Sequence, residues 1–160
     1  MEGYPFSTRV RVRFADTDAQ GVAHNAAYLV WFEVARVEYL RAFAGGYRAL
    51  RERGLEALVL ESFCRYRVPT HFDDELVVHT RCVDVRGARF RYEYALVRAP
   101  PAATPAEPPP PGGRIPGELV ADGWTGHACV DASTMRPTRV PAWLVAALRD
   151  AESASEPPSS

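Results

Sequence analysis

At 160 residues, with 47% hydrophobic and 24% charged content, the chain suits one domain with a substantial core. A formal net charge of −1 excludes a general nucleic-acid binder, which would carry a strong basic excess, and no apolar run is long enough to cross a bilayer. The N-terminal MEGYPFSTRVRVRF lacks the apolar core of a secretory signal, so a cytoplasmic location is expected.

All 19 basic residues are Arg, and Asn25, Gln20 and Ile115 are each alone of their kind, a bias that GC-rich coding produces. Cys64, Cys82 and Cys129 are odd in number and widely spaced, and read as buried thiols of a reducing compartment. His24, His71, His79 and His127 make no ligand spacing with them, so no metal is expected.

In chain order, Thr8 to Phe14 alternates Arg9, Arg11 and Arg13 against Val10, Val12 and Phe14, the pattern of a half-buried strand. Asn25 to about Phe43 is a helix so apolar that it must be covered on most sides, stopped by Gly45 and Gly46, with a short second helix over Tyr47 to Arg53. Strands follow at Ala57 to Val68, Glu75 to Val85 and Arg89 to Arg98, the last two forming a hairpin about Arg86 and Gly87. Residues 99–117 hold eight of the chain's 14 prolines and read as a long loop inserted before a strand over Glu118 to Asp131. Pro141 opens a short helix through about Asp150, and residues 151–160 are expected to be a disordered tail on a single domain spanning 1–150. With no helices between the later strands, a parallel doubly wound sheet is excluded. The order predicts an α+β fold, one five-stranded antiparallel sheet wrapped around a long central helix.

Between the first strand and that helix lies DTDAQGVAHNAAY, Asp16 to Tyr28. Two carboxylates, a glycine, a histidine and an asparagine precede a helix whose first N–H groups have no intrahelical partners and can hold developing negative charge. The same residues also suit a plain turn and cap, with Asp16 and Asp18 shaping the turn, Gly21 supplying an unusual backbone angle and Asn25 capping the helix. There is no G-x-S-x-G turn for serine-hydrolase chemistry.

VRVRFADTDAQGVAHNAAYLVWFEVARVEYLR, then YRVPTHFDDELVVHTRCVDVRGARF and ACVDASTMRPTRVP, resembles the hotdog-fold acyl-CoA thioesterases of the 4-hydroxybenzoyl-CoA thioesterase superfamily, closest to the YbgC-like branch. The resemblance covers roughly residues 7–145 and implies hydrolysis of an acyl-CoA to free acid and coenzyme A, with no cofactor beyond the coenzyme A of the substrate. It implies Asp18 as the catalytic carboxylate, nucleophile or general base, and the Asn25 backbone N–H as oxyanion donor. Many members carry Tyr then His where this chain has His24 and Asn25; a backbone role survives that change. His24 stands as a supporting catalytic candidate, Gly21 and Tyr28 as substrate-binding, and Arg86, Gly87 and Arg89 as contacts to the nucleotide phosphates, though a solvated hairpin would carry the same arginines. A homodimer with the site at its interface is implied, a tetramer being the larger alternative. Two other readings are open: an enoyl-thioester hydratase or dehydratase using His24 with a carboxylate, and a non-catalytic acyl-thioester-binding module.

Overall fold

The first strand, β1 (Phe6–Arg11), is shorter than its alternating pattern. After it the chain turns through a one-turn 3-10 helix, Phe14–Asp16, which leaves Phe14 78% exposed where the alternation placed it inside. The computed structural model describes residues 3–99 and 117–153, so the interior of the expected proline-rich insertion and the tail beyond residue 153 lie outside the described residues.

The remaining elements are α1 (Asn25–Ala44), α2 (Gly46–Glu52), β2 (Leu55–Tyr66), β3 (Glu75–Arg86), β4 (Arg89–Arg98), β5 (Glu118–Asp131) and α3 (Ala142–Ser153). The five strands form one sheet in the order β1-β3-β4-β5-β2, every neighbouring pair antiparallel. Short connections allow this, because an antiparallel partner needs only a turn; β3 and β4 are joined by Gly87 and Ala88, with Gly87 at a φ of 59°.

Helix α1 lies across one face of this sheet. Its Tyr28, Trp31, Phe32, Ala35, Tyr39 and Leu40, spaced by three and four, are buried, and large apolar side chains of this kind contribute about 1.5–3 kcal/mol each. Phe32 stacks on Tyr94, with ring centroids 4.3 Å apart, and Tyr39 meets Tyr92 edge-on at 5.4 Å. Gly45 ends the helix in the left-handed conformation that glycine adopts without cost. The expected cover is incomplete, however: Leu29, Val30 and Val34 are exposed along α1, as are Val59, Leu60, Phe63 and Tyr66 along the edge strand β2.

Helix α3 reaches three residues into the expected tail. Ala151 is buried, and Glu152 accepts hydrogen bonds from the Tyr39 hydroxyl at 2.6 Å and the Cys82 backbone N–H at 2.8 Å, so the last helical turn is fastened to α1 and β3. None of the helices among the described residues is long and apolar enough to cross a membrane.

Candidate active site

The turn before α1 is built from its base upward. Val12 exchanges backbone hydrogen bonds with the β2–β3 connection, its N–H to Asp74 O at 3.0 Å and its carbonyl from Asp73 N–H at 2.9 Å. Asp16, only 6% exposed, accepts from the Arg13 backbone N–H at 2.9 Å and from its guanidinium at 2.7 Å. That guanidinium holds the Asp16 carboxyl below the usual carboxylate range. The Asp16 carbonyl accepts the His24 N–H at 2.7 Å, which closes the loop. Asp16 is thus committed to the frame.

Within the loop, Asp18 donates its N–H to Val22 O at 3.0 Å and accepts the Gly21 N–H on its carbonyl at 2.9 Å. The tight return places Gly21 at a φ of 77°, open to solvent, a conformation that L side chains rarely adopt. Ala23 N–H is held by Thr70 O at 2.8 Å, joining the loop to the β2–β3 connection. The Asp18 side chain is half-buried, and its Oδ1 accepts the Gln20 N–H at 2.8 Å; Oδ2 has no hydrogen-bond partner among the described residues.

At the helix start the structure corrects the expected cap. His24, not Asn25, is the capping residue: it has extended backbone angles, and its Nδ1 accepts the Ala26 N–H at 3.1 Å. An unprotonated ring nitrogen takes the place of the usual Ser, Thr, Asp or Asn oxygen, which is why composition pointed to the next residue. Asn25 becomes the first helical residue, and its backbone N–H donates to none of the described residues.

Asp18, Gln20, His24, Asn25 and Tyr28 line one cavity of about 550 Å³. Tyr28 is buried, its hydroxyl 3.0 Å from Thr70 Oγ1 and its ring edge-on to Tyr66 at 5.0 Å. Residues 66–69, which also line the cavity, open the second stretch of the family resemblance but were given no site role, because nothing local shows that the chain at the end of β2 meets the start of α1. The one available hint was Thr70, a small polar residue between the strand-ending Pro69 and His71, which is fully buried.

Arg86 and Arg89 are not brought to this cavity. Within one chain they line a separate cleft of about 340 Å³, with Asp84, Arg91, Trp124 and Leu60, at the far end of β3 from Asp18; Gly87 forms the hairpin turn beside it. Arg91 stacks over Trp124 at 4.5 Å, whereas Arg86 and Arg89 have no carboxylate partner among the described residues.

A carboxylate oxygen and a free helix-start N–H on one cavity can act on a carbonyl together: the carboxylate attacks or activates water, and the N–H receives the charge that develops on oxygen. The match to known proteins agrees in extent. The thioesterase-like superfamily model covers residues 12–148. The acyl-CoA thioesterase YbgC of Haemophilus influenzae is 34% identical over 143 residues, 89% of this chain and 93% of that protein. The crystal structure of a hypothetical protein from Aquifex aeolicus superimposes with a TM-score of 0.75 at 29% identity, covering 90% of this chain and 99% of that one. A 1,4-dihydroxy-2-naphthoyl-CoA thioesterase from Synechocystis shares the fold at a TM-score of 0.74 and 20% identity, over 91% and 96% of the two chains. Family model, long relative and shared architecture converge, and the chain belongs to the thioesterase-like superfamily of hotdog-fold proteins.

Proposed function

We propose that the protein hydrolyses acyl-CoA thioesters at the Asp18 cavity. The observation that carries this reading is that Asp18 and Asn25 line the same cavity, with the Asp18 Oδ2 and the Asn25 N–H unpartnered among the described residues. In the general-base route Asp18 takes a proton from water while the hydroxide oxygen adds to the thioester carbonyl carbon. The oxyanion so formed is held by the Asn25 N–H and the positive end of α1. Collapse breaks the C–S bond, and the departing thiolate recovers the proton from Asp18, giving the free acid and coenzyme A. In the nucleophilic route an Asp18 oxygen adds directly, the thiolate leaves, and water then opens the mixed anhydride. Both routes ask the same of the protein: a water-accessible carboxylate and a fixed donor. Coenzyme A departs with the product, so neither route calls on a resident cofactor.

The working unit is a homodimer joined along β2, the edge strand whose Val59, Leu60, Phe63 and Tyr66 are exposed. Antiparallel pairing of two such edges sets the Tyr66 end of one protomer against the Leu55 end of its partner. Leu55 pairs with Asp131 and Arg89 with Ala128, so the β3–β4 turn stands on that same side. One protomer's Arg86 and Arg89 then sit near its partner's Asp18 cavity, where guanidinium groups match the phosphates of a bound nucleotide.

The test is a thiol-release screen over short, long and aromatic acyl-CoAs, with Asp18→Ala as control. Turnover by the wild type that vanishes in the variant supports the reading. Undiminished turnover in Asp18→Ala rules out Asp18 chemistry.

A further inference from the structure

Tyr66 stands opposite the helix start, across the cavity from Asp18, and sequence reasoning gave it no role. Its hydroxyl donates to the Asn25 carbonyl oxygen at 3.1 Å, and its ring lies edge-on to Tyr28, whose own hydroxyl is tied to the buried Thr70. Thr70 in turn holds Ala23 through its backbone carbonyl. The two residues that flank the helix start, Ala23 before it and Asn25 within it, are therefore each tied to the same short stretch of chain, residues 66–70.

We propose that Tyr66 is a positioning residue, whose hydrogen bond to the Asn25 carbonyl fixes the first turn of α1 so that the Asn25 N–H keeps its aim into the cavity. The inference rests on the hydrolase reading for its catalytic consequence. The physical argument is local. First helical turns fray, because their N–H groups lack partners and only one side of each peptide is held. Within the helix start, His24 Nδ1 accepts the Ala26 N–H and the His24 carbonyl accepts the Ala27 N–H at 2.9 Å; Tyr66 adds a hold on Asn25 from outside the helix. A donor reaching in from β2 supplies that restraint, and a donor group that must meet a developing oxyanion is worth most when held in place beforehand. Burial and the neighbouring Cys64 thiol raise the pKa of the Tyr66 phenol, so the hydroxyl keeps its proton and remains a donor at neutral pH. Half of Tyr66 is exposed, at 49%, so its ring is a minor part of the core.

The decisive variant is Tyr66→Phe, which deletes the hydroxyl and leaves the ring against Tyr28. One intramolecular hydrogen bond corresponds to as much as about a ten-fold change in an equilibrium or rate. The expected result is a kcat lowered by up to about ten-fold with KM unchanged, because the cavity walls that bind substrate remain, and a melting temperature lower by no more than a few degrees. A structural role alone would lower the melting temperature without this split, and a mere wall would raise KM.

A second measurement is independent of turnover. Asn25 is the only asparagine in the chain, so 15N-asparagine labelling yields a single backbone amide resonance. In Tyr66→Phe this resonance is expected to shift and broaden as the first turn gains motion. An unmoved Asn25 amide overturns the proposal whatever the activity. So does a wild-type kcat in Tyr66→Phe when Asp18→Ala is inactive. Should the wild type itself release no thiol from any acyl-CoA, the hydrolase reading falls, and the amide resonance still decides whether Tyr66 positions Asn25.

Discussion

Phe32 of α1 lies flat on Tyr94 of β4, centroids 4.3 Å apart and planes 5° from parallel, beside a strand position where any side chain would collide. That position is Gly123, opposite Tyr94 in the β4–β5 register; a Cβ there would strike the Phe63 carbonyl oxygen and approach the Phe32 ring to 2.8 Å. Gly123→Ala is therefore expected to cost more than about 2 kcal/mol, since a rigid backbone oxygen cannot yield as a side chain can. Urea denaturation of the variant against wild type checks this, and equal midpoints would show that both β2 and the Phe32 ring have room to move away from Gly123.

Asp16 and Asp18 are two residues apart and are expected to do different work. Asp16→Ala removes the partner of the Arg13 guanidinium and backbone N–H, and is expected to lower stability by on the order of 2 kcal/mol. Asp18→Ala gives up one local hydrogen bond to Gln20 and should melt near the wild-type temperature while losing thiol release. Calorimetry on the two variants separates frame from chemistry.

Stability should decline in mild acid. Burial pushes His79 down to about 4 and His127, with Arg36 nearby, down to about 3, from an ordinary 6.5. Both are neutral when folded, so the unfolded chain binds more protons below 6.5. Their contribution is whole above that value and is lost as the pH falls towards 4 and 3. One unit below 6.5, each removes about 1.4 kcal/mol. Melting temperatures measured across this range should fall, and His127→Phe should flatten the slope.

Arg86 and Arg89 predict a split between substrates. Arg86→Ala with Arg89→Ala is expected to raise KM for acyl-CoA by about ten-fold, more at low ionic strength, with little change for acyl thioesters that lack the nucleotide. Equal KM changes for both substrate types would place the nucleotide elsewhere.

Leu60, exposed at the bulge of β2, tests the edge pairing. Leu60→Asp should convert a dimer into monomers by light scattering, with activity falling in parallel. A monomeric wild type would remove the basis for a site shared between protomers.

The fold was legible in the sequence because its signals are local: β4 and β5 begin and end where the Arg86–Gly87 turn and the proline-rich stretch placed them, and α1 begins at Asn25. The misreadings share a cause in tertiary contact. Phe14 was assigned inward by alternation, but the 3-10 turn at Phe14–Asp16 breaks the strand first and turns that ring out against Phe72. Residues 151–153 looked too small and polar to fold, yet Glu152 finds Tyr39 and Cys82 waiting. The Asp18 turn was legible as a polar island before an apolar helix, whereas Tyr66 and Thr70 reach it only through tertiary contacts, Tyr66 with the Asn25 carbonyl and Thr70 with Tyr28 and the Ala23 N–H.

Arg98 and Glu118 face each other as the last register pair of β4 and β5 and form an ion pair, while Gly117, at a φ of 106°, tucks its bare α-carbon against the Arg98 carbonyl, where a Cβ would come within 2.6 Å. The ladder is thus tied off before the proline-rich stretch begins. Doubling the length of a segment whose ends are already clasped costs only about 0.6 kcal/mol in chain entropy. For protein engineers the clasp marks a natural socket: a reporter or affinity domain spliced in beyond it inherits a fixed mooring, at the end of the sheet where Arg98 also donates to the Pro69 carbonyl.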